Sequence, residues 1–233
     1  MLLNLWMVSG NLIERVFKGR CLNQRMSKIK IGVIASGSGS NFQAIGEACQ
    51  KGILKDLAEV VLLICNKPGK QCLTRAENLG IPTKIIPSDG FTGTREEYDE
   101  LLIKALKEVD VDLVCLAGYM RLLSGHFIQA FQDKVMNIHP ALLPSFKGLH
   151  AHRDVLEYGA KVSGCTVHFV DEKVDHGAII GQRCVKVHEN DTEETLGKRV
   201  LTQEHQLYPH CIKLFAEGRL EIEGRVVRVL DPN

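Results

Sequence analysis

Two side chains able to handle a proton and an oxyanion stand two residues apart in the stretch NIHPALLPSFKGLH, residues 137–150. Residues i and i+2 of an extended chain share one side, so Asn137 and His139 present an amide N–H donor and an imidazole together. They follow the apolar pair Val135 and Met136, and Pro140 stops the strand directly after them. Polar residues at the carboxyl end of an apolar strand suit a site, with Asn as a neutral donor and His as a second donor or proton shuttle. The plainer alternative is a strand-end histidine bonded to backbone. A carboxylate to orient and charge-stabilise an imidazolium is on offer in VHFVDEKVDHGAII, where a strand ends at Val170 and a loop carries Asp171, Glu172 and Asp175. Taken alone, such a loop is more often solvated surface.

Two other stretches hold ligand-binding chemistry. SGSGSN, residues 36–41, follows a strand and opens a helix, so backbone N–H groups and the helix dipole converge there on an anion. A dinucleotide fingerprint is disfavoured because its third glycine position is Phe42, and the second strand ends in Cys65 and Asn66 with no ribose-binding acid. A phosphate monoester fits better, and a simple tight turn is the remaining alternative. LAGYMRLLS flanks Arg121 with the apolar Met120, Leu122 and Leu123, which suits a flat aromatic ligand with a polar edge. It also reads as an ordinary strand-to-helix connection.

The elements that must position these residues repeat as apolar run, turn and helix from Lys30 onward. IGVIA, AEVVLLICN, TKIIP, VDLVCLAG and KVMNIHP read as five strands, the central ones apolar throughout, as in a parallel sheet covered on both faces. Helices are expected over about residues 41–51, near 71–79, and along TREEYDELLIKALKEV, where Thr94 and Glu97 make a capping box. KVSGCTVHFV and AIIGQRCVKV follow as strands, then a long helix ended by Gly218 and a closing hairpin, RLEIEGRVVRVL. The pattern predicts an α/β fold: one domain, residues 28–233, with a doubly wound, mainly parallel, Rossmann-like sheet and a C-terminal hairpin. Such sheets bind ligands at the carboxyl ends of their strands, where strand order reverses.

Composition bounds the partners. Lys plus Arg number 29 against 28 for Asp plus Glu, so no global field recruits nucleic acid or anionic membrane. The eight cysteines form no C-x-x-C pair and sit mostly in apolar runs, which points to buried thiols in a reducing compartment rather than to disulfides or zinc. No metal is expected, and no segment reaches the length of a membrane span. Residues 1–27 read as a flexible N-terminal extension. Its four basic residues and single acidic one admit an organelle-targeting peptide, but with one serine before Met26 a cytoplasmic location is preferred.

SGSGSN, LAGYMRLLS, NIHPALLPSFKGLHAHRDVLEYG, VHFVDEKVDHGAII and RVLTQEHQLYP occur in this order, and together the set resembles the phosphoribosylglycinamide formyltransferase family of the formyltransferase superfamily. The resemblance covers about residues 28–233. It implies transfer of a formyl group from 10-formyltetrahydrofolate to the amine of glycinamide ribonucleotide, in purine biosynthesis, with no metal. Asn137, His139 and Asp175 match the catalytic trio, with Asn137 and protonated His139 holding the oxyanion of a tetrahedral intermediate and Asp175 favouring the charged imidazole. Gly39, Ser40 and Asn41 would bind the substrate phosphate, and Leu201, Thr202, Gln203 and Glu204 would complete that pocket, with Glu204 near the amine. Folate would lie against Met120, Arg121, Leu122, Leu123, Asn137 and the loop Asp171, Glu172, Lys173, Val174, Asp175, with Arg95 near its tail. The two small molecules are the expected partners, and a homodimer is the assembly to test for. One departure stands out: His176 occupies a position where the resemblance leads one to expect glycine. A hydrolase of the same folate and a non-catalytic nucleotide-binding module are the competing readings. The hydrolase would need a regulatory domain before residue 28, and a related formyltransferase acting on charged tRNA would need one after the hairpin.

Overall fold

The computed structural model describes residues 27–232, so the expected N-terminal extension lies outside the described residues, Ser27 apart. Nine strands and six helices alternate along the described residues. They are β1 (Ile29–Ala35), α1 (Ser40–Lys51), β2 (Ala58–Cys65), α2 (Gln71–Asn78), β3 (Thr83–Ile85), α3 (Arg95–Lys107), β4 (Leu113–Leu116) and α4 (Gly125–Ala130). There follow β5 (Val135–His139), α5 (Ala151–Tyr158), β6 (Val162–Phe169), β7 (Ile179–Lys186), α6 (Glu193–Ala216), β8 (Leu220–Glu223) and β9 (Val226–Val229). The strands form one sheet in the order β3-β2-β1-β4-β5-β6-β7-β9-β8. No helix among the described residues is long and apolar enough to cross a membrane.

Period-two alternation explains why the central strands are apolar throughout. Ile31, Val33 and Ala35 of β1 join one core with Phe42 and Ile45 of α1 and Leu207, Cys211 and Ile212 of α6. Ile34 between them joins the opposite core with Tyr98, Leu102 and Leu106 of α3. The Thr94–Glu97 capping box that starts α3 is present in both directions. Strand order reverses between β1 and β4, and there the two loops are tied together: Ser36 N–H donates to the Gly118 carbonyl at 3.2 Å, and Met120 N–H to Ser36 Oγ at 3.1 Å. The site-bearing loops therefore meet at the switch point the pattern predicts.

From β5 onward the sheet changes direction. β1 to β5 pair in parallel, whereas β5 with β6 and β6 with β7 are antiparallel. Two short helices, α4 and α5, are not foreseen by the sequence reading. Ser124 caps α4 by accepting from Phe127 N–H, but its six residues are too few to show a periodic stripe. α5 starts after His150, which makes no side-chain cap bond, so the usual N-terminal signal is missing.

The turn before α1 depends on one glycine. Gly39 has φ +71, and a Cβ there would lie 2.5 Å from the Cys72 Cβ of α2. Gly37 has neither a positive φ nor an atom within 4 Å of an added Cβ. Gly39→Ala is expected to lower unfolding stability by about 2 kcal/mol, from left-handed backbone strain and overpacking together. Gly37→Ala should stay within about 0.5 kcal/mol of wild type, and urea denaturation of the two variants checks both.

Candidate active site

The carboxyl end of β5 brings Asn137 and His139 to the sheet surface, and the β6–β7 loop folds Asp175 back over them. Asp175 Oδ2 lies 3.3 Å from His139 Nδ1, and the two side chains are only 11% and 4% exposed. The same oxygen accepts the Gly148 N–H at 2.9 Å, which pins the carboxylate between two loops. The other ring nitrogen, His139 Nε2, lies 2.7 Å from the Phe146 carbonyl. Each nitrogen thus faces an oxygen, the Asp175 carboxylate at Nδ1 and the Phe146 carbonyl at Nε2. The carboxylate pairing expected from the acidic loop is therefore present in the geometry.

A fourth polar residue completes the cluster. Antiparallel register sets Asn137 opposite His168 and His139 opposite Thr166. Asn137 Nδ2 donates to His168 Nε2 at 3.2 Å, and His168 Nδ1 lies 2.7 Å from the Phe169 carbonyl. These partners assign a neutral ring protonated at Nδ1, and burial pushes the His168 pKa below its ordinary value in the same direction. The effect is to orient the Asn137 amide, whose second N–H remains available. The sequence reading passes over His168, although a histidine inside the apolar VHFV run is a visible oddity. What the run alone cannot give is the antiparallel register that aims it at Asn137.

The trio sits at the base of a cleft of about 400 Å³. Every residue expected to hold the flat ligand lines it: Arg95, the segment 120–123 and the loop 171–175, together with Asn137. Its mouth exposes large apolar side chains, Met120 at 62%, Leu122 at 54% and Leu149 at 75%, which a planar ligand would cover. Arg121 stacks its guanidinium 4.5 Å over the Tyr98 ring. Asp99, buried beneath it, accepts the Ser124 N–H at 2.6 Å and so fixes the segment that carries these residues. Gly177 ends the loop because of space rather than freedom of φ, since a Cβ there would lie 1.8 Å from the Phe169 carbonyl oxygen.

The turn at residues 36–41 is joined to α6. Asn41 Nδ2 donates to Glu204 Oε2 at 2.7 Å, both residues being buried. Ser40 and Leu201 line a neighbouring cavity of about 630 Å³ with Arg75 and His205. Arg75 Nε donates to the Ser38 carbonyl at 2.9 Å, so a cation the sequence reading does not single out braces this turn. Leu201 and Glu204 share one helix face with the turn, but the structure does not bring Thr202 and Gln203 to it. Thr202 is exposed and donates to its own helix at the Lys198 carbonyl, while Gln203 accepts from Arg183 of β7. Among the described residues no group of three or more His, Cys, Asp or Glu is placed to hold a metal ion.

Burial raises the Glu204 pKa, and the Asn41 amide only partly opposes it. The folded state therefore holds this proton more tightly than the unfolded chain does. The carboxyl contributes stability below its unfolded pKa, and the contribution is lost as pH rises through the folded-state value. Melting temperatures of wild type and Glu204→Gln, measured from about pH 5 to about pH 8, should diverge with rising pH in favour of the amide. Parallel curves would mean that this carboxyl is not carrying a burial penalty.

Similarity to known proteins agrees with this geometry. Residues 29–212 match the family described as formyl transferase. The chain is 46% identical over 196 residues to the trifunctional purine biosynthetic protein adenosine-3 of Gallus gallus, an alignment covering 84% of this chain and 19% of that protein. It is 42% identical over 194 residues to phosphoribosylglycinamide formyltransferase of Escherichia coli strain K12, covering 83% of this chain and 90% of that one. The solved structure of glycinamide ribonucleotide transformylase 1 from Symbiobacterium toebii superposes with a TM-score of 0.87 at 47% identity, over 92% of this chain and 100% of that chain. The chain spans about a fifth of the length of the trifunctional relatives. With its mostly parallel sheet, its Asn-x-His strand end and these relatives, the chain belongs to the formyl transferase family and, within it, groups with the phosphoribosylglycinamide formyltransferases.

Proposed function

We propose that the protein transfers the formyl group of 10-formyltetrahydrofolate to the amine of N1-(5-phosphoribosyl)glycinamide, a step of purine biosynthesis. The observation that carries this reading is the buried Asn137–His139–Asp175 cluster at the base of the 400 Å³ cleft. The folate lies along residues 120–123 and the loop 171–175, with its tail toward Arg95. The ribonucleotide phosphate rests on the backbone of Gly39, Ser40 and Asn41, and Arg75 supplies a positive charge beside that turn. Six of the seven described cysteines are free and buried and Cys184 is free and exposed, a usage that suits a reducing cytoplasm.

The chemistry asks for three things of these residues. The free amine attacks the formyl carbon, so a C–N bond forms as the carbonyl oxygen becomes an anion. Asn137 Nδ2 and a His139 N–H stabilise that oxygen, the amide already aimed by His168. The bond from the formyl carbon to folate N10 then breaks, and a proton passes from the attacking amine to N10. Glu204, buried beside Asn41, lies on the amine side of this path. Asp175 balances the charge of His139 throughout. His139 Nε2–H is engaged by the Phe146 carbonyl, so donation to the oxyanion requires that bond to be exchanged.

His139→Ala should lower turnover by about a hundredfold to a thousandfold, the usual loss for one oxyanion donor. Folate consumption, followed with and without the ribonucleotide, is the measurement. Consumption independent of the ribonucleotide would replace transfer by hydrolysis, and an unaffected His139→Ala would remove the trio from the mechanism.

A further inference from the structure

We propose that Arg225, at the tip of the β8–β9 hairpin, and His176 are positioning residues for the folate: with Asp171 they clamp the loop that lines the cleft and carries Asp175. The inference rests on the folate reading of that cleft. Its starting point is His176, which stands where the resemblance leads one to expect glycine and to which the structure gives two partners. His176 Nδ1 lies 2.6 Å from Asp171 Oδ2, joining the two ends of the cleft-lining segment across its base. Inside the loop, Lys173 N–H donates to the other Asp171 oxygen at 3.0 Å. Arg225 Nη1 stands 2.7 Å from His176 Nε2 and 2.9 Å from Nδ1, so the guanidinium lies across the ring and not at a single lone pair. Burial alone would raise the Asp171 carboxyl, but the bonds from His176 and Lys173 and the charges of His176 and Arg225 outweigh it and hold it below its ordinary range.

The hairpin is anchored where the clamp needs it. Val226, next to Arg225, pairs with Ile179 at the start of β7, and Arg228 pairs with Glu223 across the hairpin at 2.7 Å. On the other side of His176, the Gly177 backbone is packed against the Phe169 carbonyl too closely for any side chain. The loop is thus fixed at its far end by strand packing, and Asp171, His176 and Arg225 fix the rest. Something must do so, because Asp175 is held at φ +45, a left-handed conformation that a non-glycine residue keeps only when its surroundings impose it. Exposed ion pairs contribute little to global stability. Loss of the clamp should therefore appear as a smaller population of the binding-competent loop, which raises the apparent dissociation constant in proportion, and not as unfolding.

The test uses the full chain with Arg225→Ala and Arg225→Lys. Steady-state kinetics should show the KM for 10-formyltetrahydrofolate rising about fivefold in Arg225→Ala, with the KM for the ribonucleotide within about twofold and a partial recovery in Arg225→Lys. Hydrogen exchange of the unliganded protein should accelerate over residues 171–176 and not over the β5–β6 core. Unchanged exchange in that segment overturns the clamp, whatever the kinetics. Equal increases in both KM values overturn it too, since general loosening would explain them. If the wild type does not turn over these substrates, the folate reading fails, and the exchange result still decides whether Arg225 holds the loop.

Discussion

A carboxylate pressed against an imidazole away from water is the arrangement on which this structure turns. Asp175 and His139 are both nearly buried, and an ion removed from solvent is tolerated only when partners replace its hydration. The Gly148 N–H supplies one such bond to Asp175, and the Phe146 carbonyl takes the far N–H of His139. Both come from the segment between β5 and α5. The prolines and the glycine that make this stretch look unlike core sequence thus hold two backbone groups where a buried ion pair needs them.

The change of strand direction after β5 has the same logic. Had β6 run parallel to β5, its carboxyl end would lie at the same edge of the sheet as that of β5. Antiparallel pairing instead sets Asn137 opposite His168, and the β6–β7 loop, leaving beside Val135 at the amino end of β5, folds back to set Asp175 against His139. Burial keeps His168 neutral, so it can accept from Asn137 and leave the remaining donor free. The nearby carboxylate does not alter this assignment, because His168 Nε2 is 3.8 Å from Asp175 Oδ1, beyond hydrogen-bond reach.

Much of this was legible in the residues alone because the signals are local. Alternation of apolar positions in β1 and β4, the Thr94–Glu97 box and the Gly-Ser turn each depend on neighbours within a few residues, and each is found where the pattern puts it. Asn137 and His139 share a side for the same reason. What was not legible depends on contacts distant in sequence. His168 gains its role from register, Arg75 from the packing of α2 against the α1 turn, and Arg225 from a hairpin reaching back across 49 residues to His176. α5 escaped notice because His150 gives it no capping bond. The need for glycine at 177 is likewise set by a distant contact, the close approach of the Phe169 carbonyl.

The engaged state of His139 ties chemistry to loop position. His139 Nε2 is hydrogen-bonded to the Phe146 carbonyl, and its Nδ1 lies 3.3 Å from the Asp175 carboxylate. In the proposed reaction the oxyanion would displace one of these two contacts, and charge decides which. Losing Asp175 would strip the cation of its buried counter-charge just as negative charge arrives on the substrate. Losing Phe146 exchanges a neutral acceptor for an anionic one, which makes a shorter and stronger bond. In the proposed reaction the carbonyl of Phe146 is thus a placeholder for Nε2 until the oxyanion forms. Because Phe146 and Gly148 are separated by one residue, any shift that releases the first also strains the Gly148 bond to Asp175. Positions 146–148 therefore connect His139, its carboxylate partner and the wall of the cleft in one short piece of backbone.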